Sequence, residues 1–214
     1  MIPRVVHVVW IGPDPFPHEA YLRSWAAHNP AWQVRLWTDA NRPLLVNEEI
    51  YDLVPVRSCQ ADLLRLEILW RYGGFYADAD CECLRPLDPL VEGRQVVAMT
   101  GRGGGICLAA IAAVPGHPAI GRLVHGATAR YRRLRASAVN RRRGVSVHAL
   151  FAGRYVTPVL QADPSVTQVD AGERAGSRRL LVDVDDPDRS QAYVLHHRAN
   201  SWRAELGGGR RVRL

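Results

Sequence analysis

Apolar and polar positions along the chain fall into blocks whose period changes at glycines and prolines. "RVVHVVWIG" (4–12) is a β-branched run closed by Gly-Pro-Asp-Pro, which predicts a buried first strand and a loop. "EAYLRSWAAHNPAW" (19–32) repeats apolar residues at helical spacing up to its Asn-Pro stop, and "WQVRLWTDAN" (32–41) predicts a second strand, so a β-α-β opening is expected. In "SCQADLLRLEILWRYGG" (58–74) leucines and an isoleucine occupy more than one helical face. Ser58 is the expected cap, and the Gly-Gly pair suits a left-handed exit. This largely buried helix delivers the chain to "FYADADCEC" (75–83), read as a strand. Beyond it the pattern predicts a strand at "QVVAMT" (95–100), a glycine-rich turn at "GRGGG" (101–105) and an apolar segment to Val114. A helix from about Ala119 into an arginine cluster and a strand-like "QAYVLHHRANSW" (191–202) complete an α/β chain without internal repeats.

The segment 75–83 carries a puzzle. Read as a strand, its period of two places Asp78, Asp80 and Glu82 on one face, about 7 Å apart. At an effective dielectric of about 20, each neighbouring pair then repels by roughly 2 kcal/mol. Water, an arginine or a bound metal ion are the groups that can offset this. Hard oxygen ligands at the carboxyl end of a strand suit Mg²⁺ or Mn²⁺, and ligand crevices of open α/β sheets lie at that end. On the same reading Cys81 and Cys83 point away from the carboxylates into the core.

Composition narrows the setting. A chain of 214 residues, 47% of them hydrophobic, is long enough for one well-buried domain, so a single domain over 1–214 is expected. The opening "MIPRVVHVVWIGPDPFP" has only a short apolar run, interrupted by His7 and closed by prolines, which resembles neither a signal-peptide core nor a membrane span. A cytoplasmic protein with four reduced cysteines is therefore the expectation. The net charge of +7 is local: from Gly93 to Ala162 there are 11 arginines and no acidic residue. "RYRRLRASAVNRRRG" (130–144) is a candidate contact for nucleic acid, an anionic membrane or a negatively charged acceptor, with a solvated helix face as the competing reading.

The pieces "IPRVVHVVWIG", "NPAWQVRLWTD", "ADLLRLEILWRYGGFYADADCECLRPLDPL", "IAAVPGHP" and "HHRANSW" resemble, in this order, the DXD-containing glycosyltransferase sugar-binding family. That family includes initiating mannosyltransferases and capsular-polysaccharide glycosyltransferases and is distantly similar to large glucosylating toxins. The resemblance implies a GT-A-like, Rossmann-like α/β domain with a mixed central sheet and metal-dependent, retaining transfer of a hexose from a nucleotide diphosphate sugar. It places donor binding mainly in 1–100, the acceptor side and basic segment at about 101–162 and a closing segment at about 190–214. By the same resemblance Val9, Trp10, Ile11 and Gly12 meet the nucleotide, Trp10 by stacking. Asp62 and Arg65 hold the sugar's hydroxyls, although three apart on a helix they also suit a simple ion pair. Asp80 ligates Mn²⁺ or Mg²⁺, Asp78 meets the ribose or the metal through water, and His197 contacts the metal, with His196 the adjacent choice. Ser201 and Trp202 reach the diphosphate. A uridine donor is preferred over a guanosine one, and the acceptor is expected to be anionic, lipid-linked or a small natural product. Peripheral membrane contact through the basic segment is expected rather than nucleic-acid binding.

Two other readings compete. A haloacid-dehalogenase-type phosphotransferase also uses D-x-D after a strand, and "DVDD" (183–186) imitates its later motif, but this chain has no lysine for such a site. A noncatalytic RNA-binding module built on the arginines leaves the Trp10, Asp62, Arg65 and D-x-D pattern unexplained.

Overall fold

A computed structural model describes residues 1–101, 103–170, 179–183, 191–199, 211–212 and 214. β1 (Val5–Val9), α1 (Glu19–His28) and β2 (Gln33–Trp37) form the expected opening unit, with β1 and β2 parallel. There follow α2 (Glu48–Tyr51), α3 (Arg57–Tyr72), β3 (Gly74–Ala77), β4 (Cys81–Cys83) and α4 (Asp88–Val91). β5 (Val96–Thr100) and β6 (Ile106–Ala113) lead to α5 (Pro118–Ala136) and α6 (Ala138–Arg143). β7 (Val145–Ser146), α7 (Val147–Leu150), α8 (Gly153–Gln161), β8 (Val166–Asp170), β9 (Arg179–Asp183), β10 (Ala192–His196) and β11 (Arg211–Val212) complete the order.

The central sheet has six strands in the order β2-β1-β3-β6-β5-β8. Only β6 runs against its neighbours, so the sheet is mixed, as expected. Both faces are covered, which is why β1 is nearly all apolar rather than alternating. Val9, Tyr76, Ala98 and Ile111 join the apolar cluster under α3, α5 and α8. Val8, Phe75, Val97 and Ala112, one position along each strand, join the cluster around Trp25 on the other side. Because β1 lies between β2 and β3, the chain reverses its winding at the β1/β3 boundary, the position where open sheets part to admit a ligand.

α3 begins one residue before Ser58. Val56 is extended and buried and pins the chain there, so Ser58 lies inside the first turn rather than capping it. Its exit is the expected glycine pair: Gly73 and Gly74 have φ of 62° and 94°, and a Cβ on Gly74 would lie 2.6 Å from Val5. α3 is tied to α2 and α5 by one buried carboxylate. Glu67 accepts from the Val46 and Asn47 N–H groups and from Asn47 Nδ2, which also donates to the Val124 carbonyl.

The strand expected over 75–83 is interrupted, which corrects the single-face reading of its carboxylates. β3 ends at Ala77; the Asp78 N–H donates to Ala109 O at 2.8 Å, and the Cys81 N–H folds back onto Asp78 O at 3.0 Å. The chain turns through Asp78 to Asp80 and continues as β4, which pairs with β10 in a separate sheet. Cys81 and Cys83 are buried and unbonded to other cysteines, as expected.

The fold also buries a histidine in β1. His7 Nδ1 accepts from Trp37 Nε1–H at 3.0 Å, so His7 Nε2 must carry the proton and donate to Gly73 O at 2.9 Å. Burial pushes the imidazole down to about 4, with Arg35 adding to the effect and the Gly73 hydrogen bond opposing it. The folded state thus prefers neutral His7. Its contribution, about 3 kcal/mol, is complete above the ordinary value of 6.5 and is lost as pH falls toward about 4. The difference in urea-unfolding free energy between the wild-type chain and His7→Gln should therefore shrink by about this amount between pH 7 and pH 4. A difference independent of pH would contradict the neutral buried imidazole.

Candidate active site

β1, β2, β3, β5 and β8 all point their carboxyl ends to one edge of the sheet, and β6 starts there. Trp10 follows β1, Asp39 follows β2, Asp78 follows β3 and the glycine turn 101–105 follows β5. Residues distant in sequence meet at this edge because one strand direction is shared.

Arg65 is the hub. Its side chain is 7% exposed and comes from the middle of α3. Nη1 donates to Leu108 O at 2.7 Å, and Nη2 meets Asp78 Oδ1 at 2.8 Å and Asp62 Oδ1 at 3.2 Å. The guanidinium also stacks 4.3 Å from the Tyr76 ring, whose hydroxyl donates to the same Asp78 oxygen. Burial opposes a cation here, but Asp78, Tyr76 and Asp62 hold Arg65 charged above its ordinary value. Asp62 shares this cation with a second carboxylate: burial raises it, Arg65 lowers it and Asp78 raises it, leaving it at about 6. The intrahelical pair foreseen for Asp62 and Arg65 exists, and it extends to Asp78. The more exposed groups of the trio are the two carboxylates, with Asp78 28% and Asp62 14% open.

Asp80 and Glu82 have different partners. Asp80 Oδ1 lies 3.3 Å from His196 Nε2, and its Oδ2 accepts from the Ala199 N–H at 2.8 Å. The Asp80 carbonyl accepts from the His197 N–H at 3.0 Å. Burial pushes the Asp80 carboxyl up, but His196 and the Ala199 N–H outweigh it and hold the group below its ordinary value. His197 points instead to Glu82, 3.0 Å away. It stacks on Tyr21 at 4.4 Å, and Tyr21 stacks on His18 at 5.1 Å. The three carboxylates that posed the repulsion puzzle thus each face a separate cationic or ionisable group.

The metal-binding geometry can be tested on these distances. Among the described residues, Asp80, Cys81 and His196 offer ligand atoms within 4.8 Å of one another. The 3.3 Å between Asp80 Oδ1 and His196 Nε2 is close to the separation of two adjacent ligands on an octahedral ion with bonds of about 2.1 Å. Burial raises the Cys81 thiol well above its ordinary value and keeps it protonated, so the oxygen and nitrogen pair is the better match to Mn²⁺ or Mg²⁺. Asp78 lies in the Arg65 cluster rather than in this group.

Just after the neighbouring strand at the same edge, Trp10 is half-buried. Its N–H groups go to Trp37 O and Asp14 O, and Phe16 and His18 meet its ring edge-on. Val9 and Ile11 are buried and offer only backbone. Gly12 has φ of 117°, its N–H donates to Asp39 Oδ2 at 2.7 Å, and a Cβ there would lie 2.7 Å from Arg57 Nε. Only glycine fits this approach. Ser201, Trp202 and residues 184–186 of the "DVDD" stretch lie outside the described residues. Tyr21, His18, Asp39 and Tyr76 were not foreseen. Tyr76 alone had a signal, its period-two relation to Asp78; the others reach the site through the fold.

Residues 15–97, which include the turn, match the family model described as a glycosyltransferase sugar-binding region containing a DXD motif. Inositol phosphoceramide mannosyltransferase 1 of Schizosaccharomyces pombe is 30% identical over 134 residues, covering 58% of this chain and 42% of that protein. Inositol phosphoceramide mannosyltransferase 3 of the same yeast is 32% identical over 98 residues, covering 42% of this chain and 28% of that protein. The chain therefore spans less than half the length of these curated relatives. Among solved structures, the PaToxG glycosyltransferase superposes with a TM-score of 0.58 at 17% identity, over 74% of this chain and 69% of that one. A glycosyltransferase involved in glycosylation of the major capsid of PBCV-1 superposes with a TM-score of 0.52 at 11% identity, over 95% of this chain and 97% of that one. The sheet is thus a glycosyltransferase fold, and residues 15–97, with Asp78 and Asp80 at their acidic turn, are similar to the sugar-binding region of DXD-containing glycosyltransferases.

Proposed function

We propose that the chain transfers a hexose from a nucleoside-diphosphate sugar to a lipid-linked acceptor, with retention at the anomeric carbon and with Mn²⁺ or Mg²⁺ held by Asp80 and His196. The observation that carries the reading is the division of labour at the acidic turn. Arg65 fixes Asp78 and Asp62 as partly open acceptors for hydroxyl groups, while Asp80 and His196 stand at metal-ligand separation beside them. Asp80 and His196 would hold a divalent ion there, which would supply positive charge to offset the negative charge on the departing diphosphate.

The remaining chemistry belongs to the chain's own groups. Trp10 and the Gly12 backbone, at the end of β1, supply the edge for the nucleoside. Asp62 and Asp78 accept hydrogen bonds from the sugar, and the buried guanidinium behind them keeps both from turning away as the anomeric bond lengthens. Retention is consistent with the acceptor oxygen attacking from the face the diphosphate leaves, its proton passing to a diphosphate oxygen. No protein nucleophile is required for that route. A cavity of about 480 Å³ lined by Gly105, Gly153, Arg154, Thr157 and Pro158 borders the start of β6. It lies within a few residues along that strand of Leu108, the carbonyl that Arg65 grips. This is a suitable place for the acceptor. Mannose as the sugar and a lipid as the acceptor take support from the names of the yeast relatives.

Incubating the purified chain with Mn²⁺ and a panel of uridine and guanosine diphosphate sugars should release nucleoside diphosphate from one donor, and Asp80→Asn should lower that rate at least about 100-fold. Unchanged turnover in Asp80→Asn would remove the proposed ion site. The two adjacent histidines give a sharper comparison. His196→Ala should raise the Mn²⁺ concentration needed for half-maximal release about tenfold or more, whereas His197→Ala should leave it within about twofold. The reverse ranking would assign the ion to His197.

A further inference from the structure

The arginine-rich segment has no part in the site described above, and its position in the fold gives it one. α3 starts at the Gly12 edge, where Arg57 packs, and ends at the opposite edge, where Trp70 O accepts from the Gly116 N–H. α5 starts beside Trp70 and runs back along α3 until the Tyr131 hydroxyl reaches Leu53 O, just before α3 begins. Its last turns and α6 therefore emerge on the side of the molecule that carries the acidic turn.

This emerging face is basic and partly apolar. Arg133, Arg135 and Arg141 to Arg143 are exposed, and Gly93 to Ala162 contain no acidic residue. Arg132 pairs across to Glu49. Amid these charges Val139 is 60% exposed, and Leu53 beside Tyr131 is 52% exposed. An apolar side chain held in water within a ring of arginines is the pattern of a surface that rests on anionic lipid headgroups. A surface for single-stranded nucleic acid would present aromatic rings for base stacking, but the one aromatic residue of 130–143, Tyr131, is buried against Leu53. Among the described residues no helix is long and apolar enough to cross a membrane.

We propose that the face formed by the end of α5 and by α6 docks the protein on an anionic lipid bilayer, with Val139 entering the headgroup layer and the flanking arginines pairing with lipid phosphates. Docked in this way, the protein turns its acidic site edge toward the bilayer. The proposal builds on the lipid-acceptor reading, but its test does not involve turnover.

The purified 214-residue chain should co-sediment with vesicles of phosphatidylcholine containing about one-third phosphatidylglycerol and not with pure phosphatidylcholine vesicles. Arg141→Ser, Arg142→Ser and Arg143→Ser combined should lower the partition coefficient on the order of 100-fold, and Val139→Asp at least about fivefold. Both variants should keep the wild-type melting temperature and the wild-type rate of nucleoside-diphosphate release in solution. Equal partitioning onto both vesicle types, undiminished binding by the variants, or displacement from vesicles by single-stranded RNA with the same arginine dependence would overturn it. Failure of the wild-type chain to bind anionic vesicles with its donor turnover intact would reject the docking face alone; vesicle binding by the wild-type chain without turnover would reject the transferase reading alone.

Discussion

One buried guanidinium organises the site. Arg65 arises from α3, grips the start of β6 through Leu108 O, and fixes the end of β3 through Asp78. These elements belong to two layers of the fold, and a charge with this little access to water is stable there only because two carboxylates and an aromatic face surround it. The same contacts that compensate the buried cation hold Asp62 and Asp78 at the sheet edge. Structural and functional demands therefore converge on one side chain. Replacing it by lysine would keep the charge and lose the fork that reaches three acceptors at once.

The acidic turn extends this arrangement toward the C-terminal part of the chain. Asp80 is clasped by His196, by the Ala199 N–H and, through its carbonyl, by the His197 N–H, while Glu82 takes the His197 ring. β10 arrives at this place because it pairs antiparallel with β4, the short strand that follows the turn. A ring stack from His18 through Tyr21 to His197 then links the segment to the start of α1. The site edge is built from the first strand, the long helix, the turn and the tenth strand together.

Much of this was legible in the sequence because the signals were local. The β-branched run at Val5 to Val9, the Asn-Pro stop after α1 and the Gly73-Gly74 exit are short-range constraints, and each produced the element it predicts. The helical spacing of Asp62 and Arg65 likewise allowed their ion pair, but not Asp78 as its third member. What periodicity could not show is where a strand stops. The alternation of Asp78, Asp80 and Glu82 continues through a turn, because Asp78 spends its N–H on β6 and the chain then changes sheets. Ser58 failed as a cap for a similar reason, since burial of Val56 fixes the entry to α3. Partners such as Tyr21 for His197 and Asp39 for Gly12 depend on packing between distant elements, which no local pattern encodes.

Arg65 and Asp78 form one energetic unit that holds the sheet edge together. A double-mutant cycle of Arg65→Met, Asp78→Asn and the double variant, read by urea unfolding at pH 7, measures that unit directly. The expected coupling is at least about 2 kcal/mol, with Arg65→Met alone more destabilising than the double variant because it strands two carboxylates on one missing cation. A coupling within about 0.5 kcal/mol of zero would mean that the two side chains merely lie near each other, and would contradict such a unit.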